Sequence, residues 1–166
     1  MRFIGNIEAK SDSKGRVFIP ATFRRALQTT GNSKLMMRKD IFQECLVLYP
    51  EESWNTQLDA LRSRLDRWNA RHQMIFRQFV ADVEEINIDS NGRILIPKRY
   101  LKMTGITQEV RFIGMDDTIE IWAKDKLEQP FMDAATLGNE IEKIMSEKQK
   151  EEHNNESKSI KNTGIL

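Results

Sequence analysis

One cysteine, two histidines and four prolines are all that 166 residues offer of those three types, and each scarcity removes a class of protein. A lone Cys45 cannot build an intramolecular disulfide framework. It sits in the apolar run Cys45-Leu46-Val47-Leu48-Tyr49, with no histidine or second cysteine at metal-ligand spacing, and reads as a buried, inert thiol. His72 and His153 have no metal partner at usable spacing. Ser11, Ser13 and Ser90 lack a nearby base, so nucleophilic catalysis has no candidate. Gly15 and Gly92 are single glycines, not a phosphate-cradling loop. Neither catalytic residue nor metal, cofactor or small-molecule substrate is therefore expected. No run approaches the ~18 apolar residues of a membrane span. Met1-Arg2-Phe3-Ile4 passes straight into polar residues, unlike a secretory leader. A reducing cytoplasm is the expected compartment.

Net charge is also nearly absent, at +1, which taken alone argues against a polyanionic partner. Its distribution argues otherwise. Residues 1–39 hold nine Lys or Arg against two acids, a local excess of +7. Residues 61–79 hold five arginines against Asp66, and residues 80–130 have three more acids than bases. A basic front on a neutral molecule can attract phosphates locally.

What the chain does have is one short pattern twice. Aligning Asp12 with Asp89 brings Gly15 onto Gly92 and Arg16 onto Arg93. Val17-Phe18-Ile19-Pro20 then meets Ile94-Leu95-Ile96-Pro97, and Phe23 meets Tyr100. After a shift of a few residues, Leu46-Val47-Leu48-Tyr49 meets Ile119-Glu120-Ile121-Trp122. Each copy spans about forty-five residues, too few to stand alone. In each, an entering strand (7–10; 83–88) leads to a tight turn at Ser13-Lys14-Gly15 or Ser90-Asn91-Gly92. The triplets Val17-Phe18-Ile19 and Ile94-Leu95-Ile96 predict short buried strands ended by Pro20 and Pro97. A short helix follows (22–29; 98–103), then two strands (35–38 and 45–49; 110–114 and 118–122).

Between the copies, Trp54, Leu58, Leu61, Leu65, Trp68, His72, Ile75 and Phe79 recur at steps of three and four. That spacing predicts one amphipathic helix of about seven turns with an Arg-rich outer face. Trp54, Trp68 and Trp122 read as core or interface anchors. Beyond Trp122 a C-terminal helix over 126–150, interrupted at Pro130 and Gly138, and a disordered tail over 151–166 are expected.

The two Asp-x-x-Gly-Arg turns are the functional candidates. Aspartate can cap the turn by accepting backbone N–H bonds, and glycine lets the chain reverse. The arginine then has two options: to pair with the aspartate and stiffen the turn, or to point outward to a phosphate or a guanine O6/N7 edge. Lys10 and Lys14 beside the first copy favour the second. By charge along the chain, the N-terminal turn carries more of the phosphate attraction and the C-terminal turn contributes Arg93.

The ordered set Phe3-Ile4-Gly5, Asp12-Ser13-Lys14-Gly15-Arg16, Pro20, Phe23-Arg24, then Asp89-Ser90-Asn91-Gly92-Arg93-Ile94-Leu95-Ile96-Pro97, Gly114 and Glu120-Ile121-Trp122 resembles the MraZ family of bacterial transcriptional regulators, in the AbrB/MazE-like swapped-hairpin superfamily. The resemblance covers about residues 1–125. It departs between Gly5 and Asp12, where the family has an aromatic, a His and a Leu and this chain has Asn6-Ile7-Glu8-Ala9-Lys10-Ser11. The resemblance implies an α+β fold of two tandem swapped-hairpin halves, a double-psi-like β architecture, at 1–50 and 80–125, joined by the helix 51–79. It implies a ring-shaped homo-oligomer, nucleoid-associated, that binds short direct repeats of double-stranded DNA and represses the division and cell-wall gene cluster containing its own gene. The family's DNA-contacting loop maps onto Asp12 and Arg16 and onto Asp89 and Arg93. Taken with the basic residues beside the turns, Lys14, Arg16 and Arg93 are expected to lead the DNA contacts, with Lys10 and Arg24 as weaker phosphate candidates and Asp12, Gly15, Asp89 and Gly92 as the residues that order the turns. An antitoxin-like module whose tail binds a partner enzyme is the alternative, against which stands the presence of two hairpin copies in one chain.

Overall fold

Neither copy of the repeat closes a sheet by itself; each lends strands to the other. In the computed structural model, which describes residues 2–29, 31, 34–126 and 128–164, the first copy forms β1 (Asn6–Lys10), β2 (Arg16–Phe18), α1 (Ala21–Gln28), β3 (Lys34–Lys39) and β4 (Leu46–Pro50). The second forms β5 (Glu84–Asn87), β6 (Arg93–Leu95), α4 (Lys98–Thr104), β7 (Glu109–Met115) and β8 (Thr118–Ala123). Between them lie α2 (Glu51–Arg64) and α3 (Ala70–Ala81). All pairing is antiparallel: a six-stranded sheet ordered β1-β7-β8-β4-β3-β5 and a two-stranded ribbon β2-β6.

The register carries an internal two-fold relation. The first strand of each copy pairs with the third strand of the other, β1 with β7 and β5 with β3. At the centre Leu46 faces Ile121, Val47 faces Glu120 and Leu48 faces Ile119, so residues that are equivalent in the repeat cross-pair about one point. This is the interleaved, swapped-hairpin α+β architecture. One core results: Phe23 and Leu27 of α1, Tyr100 of α4, and Val17, Ile19, Ile94 and Ile96 around the ribbon pack with Phe112, Ile119 and Ile121 of the sheet. Full burial of such side chains is worth about 1.5–3 kcal/mol each, and neither half holds enough of them alone.

The opposite sheet face carries the interhelical segment. Trp54 stacks on Phe79 (5.5 Å) and meets Tyr49 edge-on (5.3 Å), so α2 and α3 lie together against Val47 and Tyr49. The expected single helix 51–79 is thus a helical hairpin. The chain leaves α2 at Leu65, which is extended, and Asn69 caps α3 by accepting from the Arg71 (2.9 Å) and His72 (3.1 Å) amides. His72 Nδ1 accepts from the Asp66 amide across the gap (2.9 Å). The apolar spacing continues through the break, but Asp66 and Asn69 offer the backbone local alternatives to helix. Trp68, expected as an anchor, is 96% exposed at the tip, whereas Trp54 and Trp122 are buried. Cys45 is buried with Ile113 and Trp122, and burial pushes its thiol pKa up.

The chain divides after Gln129 into two compact units. The second is α5 (Ala134–Thr163), capped by Asp133, which accepts from the Thr136 amide (3.1 Å). Thirty residues of helix measure about 45 Å. Helix therefore runs where a disordered tail was expected, up to Thr163; residues 165 and 166 of that tail lie outside the described residues. The expected interruption at Gly138 is not there either, since one glycine costs a helix only about 1 kcal/mol. No helix among the described residues is long and apolar enough to cross a membrane.

At the second copy, the Tyr100 hydroxyl links three elements. It accepts from Arg99 Nη2 (2.9 Å) and has the carbonyls of Met37 (3.1 Å) and Asp82 as acceptors. Burial pushes its pKa up to about 12. Tyr100→Phe should cost about 1–3 kcal/mol, because buried acceptors lose their donor; a lower midpoint in thermal unfolding by circular dichroism is the expected result.

Candidate nucleic-acid interface

Both turns form the same closed constellation. The Lys14 and Arg16 amides each donate to Asp12 Oδ1 (2.9 Å each), and Arg16 Nε donates to Asp12 Oδ2 (2.7 Å). In the second copy the Asn91 and Arg93 amides donate to Asp89 Oδ1 (2.9 Å each), and Arg93 Nε donates to Asp89 Oδ2 (2.9 Å). The backbone amide of Arg16, then its guanidinium and the Lys14 amide, hold the Asp12 carboxyl below its usual pKa; the amides of Arg93 and Asn91 lead the same effect on Asp89. Gly15 (φ 87°) and Gly92 (φ 81°) close the turns in the left-handed region.

The two options for the arginine are therefore not exclusive. Pairing through Nε fixes the guanidinium plane, and among the described residues no other hydrogen bond is recorded for the side chain of Arg16 or Arg93. Both terminal Nη groups are left for an outside acceptor, the pair that an end-on contact to phosphate or to guanine O6/N7 uses.

The ribbon β2-β6 fixes where these arginines stand. Arg16 faces Leu95, Val17 faces Ile94 and Phe18 faces Arg93. Side chains alternate along a strand and directly opposed residues share a face. Val17 and Ile94 consequently enter the core, while Arg16, Phe18, Arg93 and Leu95 form one outer face. The ribbon ends are tied reciprocally, Ile19 N–H to the Gly92 carbonyl (3.0 Å) and Ile96 N–H to the Gly15 carbonyl (2.9 Å). Each turn is thus anchored on the strand of the other copy. The triplets expected to be fully buried are buried only at alternate positions: Phe18 is 54% and Leu95 55% exposed. Period-two alternation starting from Arg16 and Arg93 would have given this; three adjacent apolar residues masked it.

Arg24 lies elsewhere than its place in the chain suggests. A Cβ built on Gly92 would fall 2.1 Å from Arg24 Nη1, so this first-copy side chain rests on the second-copy turn. Its repeat equivalent, Leu101, is the side chain against Gly15. The first turn carries Lys14 with Arg16, and the second carries Arg24 with Arg93. The lopsided charge expected from the sequence becomes an even one in space. Lys10 is exposed near the end of β1 and borders a cleft with Phe18 and Arg24. Among the described residues no group of three or more His, Cys, Asp or Glu is placed to hold a metal ion.

Gly15→Ala should destabilise more than Gly92→Ala, as read by thermal unfolding. The new methyl at 15 meets the Ile96 carbonyl oxygen at 2.8 Å, which is fixed backbone, whereas at 92 it meets the movable end of Arg24. Both variants also carry the strain of positive φ. Acid should loosen both turns. A carboxylate with a lowered pKa contributes order that is complete above about pH 4 and lost as pH falls through the lowered value. The amide resonances of Lys14, Arg16, Asn91 and Arg93 should accordingly shift with midpoints below the usual aspartate range.

Residues 3–78 and 79–143 each match the family described as "MraZ protein, putative antitoxin-like". A Bacteroides fragilis protein named Transcriptional regulator MraZ is 63% identical over 154 residues, covering 93% of this chain and 98% of the relative. One of the same name from Bacteroides thetaiotaomicron is 58% identical over 152 residues, covering 92% and 97%. One from Clostridium tetani is 34% identical over 145 residues, covering 87% and 97%. Two matched repeats and relatives aligned over nearly their whole length leave one assignment: the chain belongs to the MraZ family, whose relatives here carry the name of transcriptional regulators.

Proposed function

We propose that the protein is a sequence-specific regulator that binds double-stranded DNA, represses the division and cell-wall gene cluster containing its own gene, and meets short direct repeats in that promoter through its paired turns. The observation that carries the DNA reading is the outer face of the ribbon. Two arginines are oriented there by aspartates, each with unused Nη donors, and a second cation stands at each turn. Arg16 and Arg93 take the base edges; Lys14, Arg24 and Lys10 take phosphates; Asp12, Gly15, Asp89 and Gly92 hold the turns. A ring-shaped homo-oligomer in the cytoplasm, associated with the nucleoid, would engage several repeats at once. Affinity then comes from effective concentration, which suits a chain whose net charge is +1.

A second reading, an antitoxin-like module, draws on α5, where Leu137, Ile141, Ile144 and Met145 form an exposed apolar stripe. Co-purification of one stoichiometric enzyme partner that depends on α5, with no promoter binding, would favour it.

The deciding measurement is fluorescence anisotropy on the chain's own upstream region at two salt concentrations. Arg16→Ala and Arg93→Ala should each cost about 1–3 kcal/mol and relax sequence preference, a loss of roughly five- to 150-fold. The backbone bonds to Asp12 and Asp89 keep the turns closed in these variants. Lys10→Ala should lower affinity evenly and flatten the salt slope. Binding indifferent to both arginine substitutions would overturn the assignment.

A further inference from the structure

Phe18 and Leu95 are left without a role by the paired arginines. They are equivalent positions of the repeat, and each is more than half exposed as the last residue of a ribbon strand only three residues long, flanking the buried central pair Val17–Ile94. Phe18 directly faces Arg93 and Leu95 directly faces Arg16, so that apolar and cationic side chains alternate both along and across the strands. The Arg93 guanidinium lies 5.7 Å from the Phe18 ring centroid. A second copy of this chain is a poor occupant for the face: it would bring Lys14, Arg16, Arg24 and Arg93 of both copies together.

The face does fit the major groove of duplex DNA. Two strands about 4.8 Å apart with their side chains pass into a groove about 12 Å wide. The only apolar feature that the major-groove base edges offer is the 5-methyl group of thymine. Resting on the DNA-binding reading above, we infer that Phe18 and Leu95 are specificity residues that contact thymine methyl groups beside the guanines met by Arg16 and Arg93. The internal two-fold relation places one such arginine–apolar pair on each side of the ribbon centre. The two halves of the ribbon therefore meet the bases of the repeats with unlike apolar side chains, Leu95 beside Arg16 and Phe18 beside Arg93.

The test uses the full chain and a duplex of its own upstream region, prepared once with thymine and once with deoxyuridine, which differ only in the 5-methyl group. Wild-type protein should bind the deoxyuridine duplex more weakly, by about fourfold for each methyl met. The Phe18→Ala/Leu95→Ala double variant should bind both duplexes equally, and Phe18→Leu should keep the thymine preference. Arg16→Ala should weaken binding to both by the same factor. Equal wild-type affinity for the two duplexes, with Arg16→Ala still weakening each, would overturn the inference while leaving the DNA reading intact. So would a double variant that keeps the thymine preference, since the methyls would then be sensed elsewhere. Absence of any salt-sensitive, sequence-selective binding by the wild type would remove the DNA reading itself and this inference with it. The wild-type comparison needs no variant, so a double variant that fails to fold still leaves a decision.

Discussion

The exchange of strands between the two copies is the constraint on which the rest depends. β1 belongs to the first copy and completes the edge of the second; β5 does the reverse. Val47 and Glu120, equivalent in the repeat, sit opposite each other at the centre. No half can therefore reach its core without the other, and a single cluster gathers Phe23, Leu27, Tyr100 and Ile121 from both. The cost of the arrangement is long-range pairing, with its loop-closure entropy. The gain is a ribbon whose two turns are held at fixed positions by reciprocal bonds from Ile19 and Ile96.

The Asp–Arg pair does two things at once. As an exposed ion pair its contribution to stability is small. Its value lies in orientation: Asp12 and Asp89 take the Nε of their arginines and the amides of the turn, so the guanidinium plane is fixed before any ligand arrives. Preorganised donors lose less entropy on binding than free ones. The stiffened turn and the outward donor were alternatives on the sequence, and in the structure one produces the other.

Charge shows the same gap between chain order and space. Counted along the sequence, the first copy is basic and the second is acidic. The interleaving moves Arg24 onto Gly92 and puts Leu101 at Gly15, so each turn has one arginine and one further cation. The helical hairpin illustrates a different failure. Hydrophobic spacing from Trp54 to Phe79 continues through residues 65–69 in phase, yet Asn69 is a good cap and Asp66 binds the Trp68 amide (2.9 Å), and the backbone follows those local bonds.

The repeat, the strand–turn–strand–helix order, the glycines and aspartates of the turns and the prolines after the short strands all follow from local chemistry. Residue type and spacing within a dozen positions were enough to place them. Family membership followed from the same ordered residues. The sequence by itself could not say that β2 pairs with β6, because strand partners are set by which apolar faces meet in the shared core. That pairing brings Arg24 to the second turn and gathers the two arginines, with Phe18 and Leu95, on one face. Composition likewise misleads at the tail: polar residues without periodicity from Glu151 onward are still good helix formers when Asp133 starts a helix that nothing up to Thr163 is strong enough to stop.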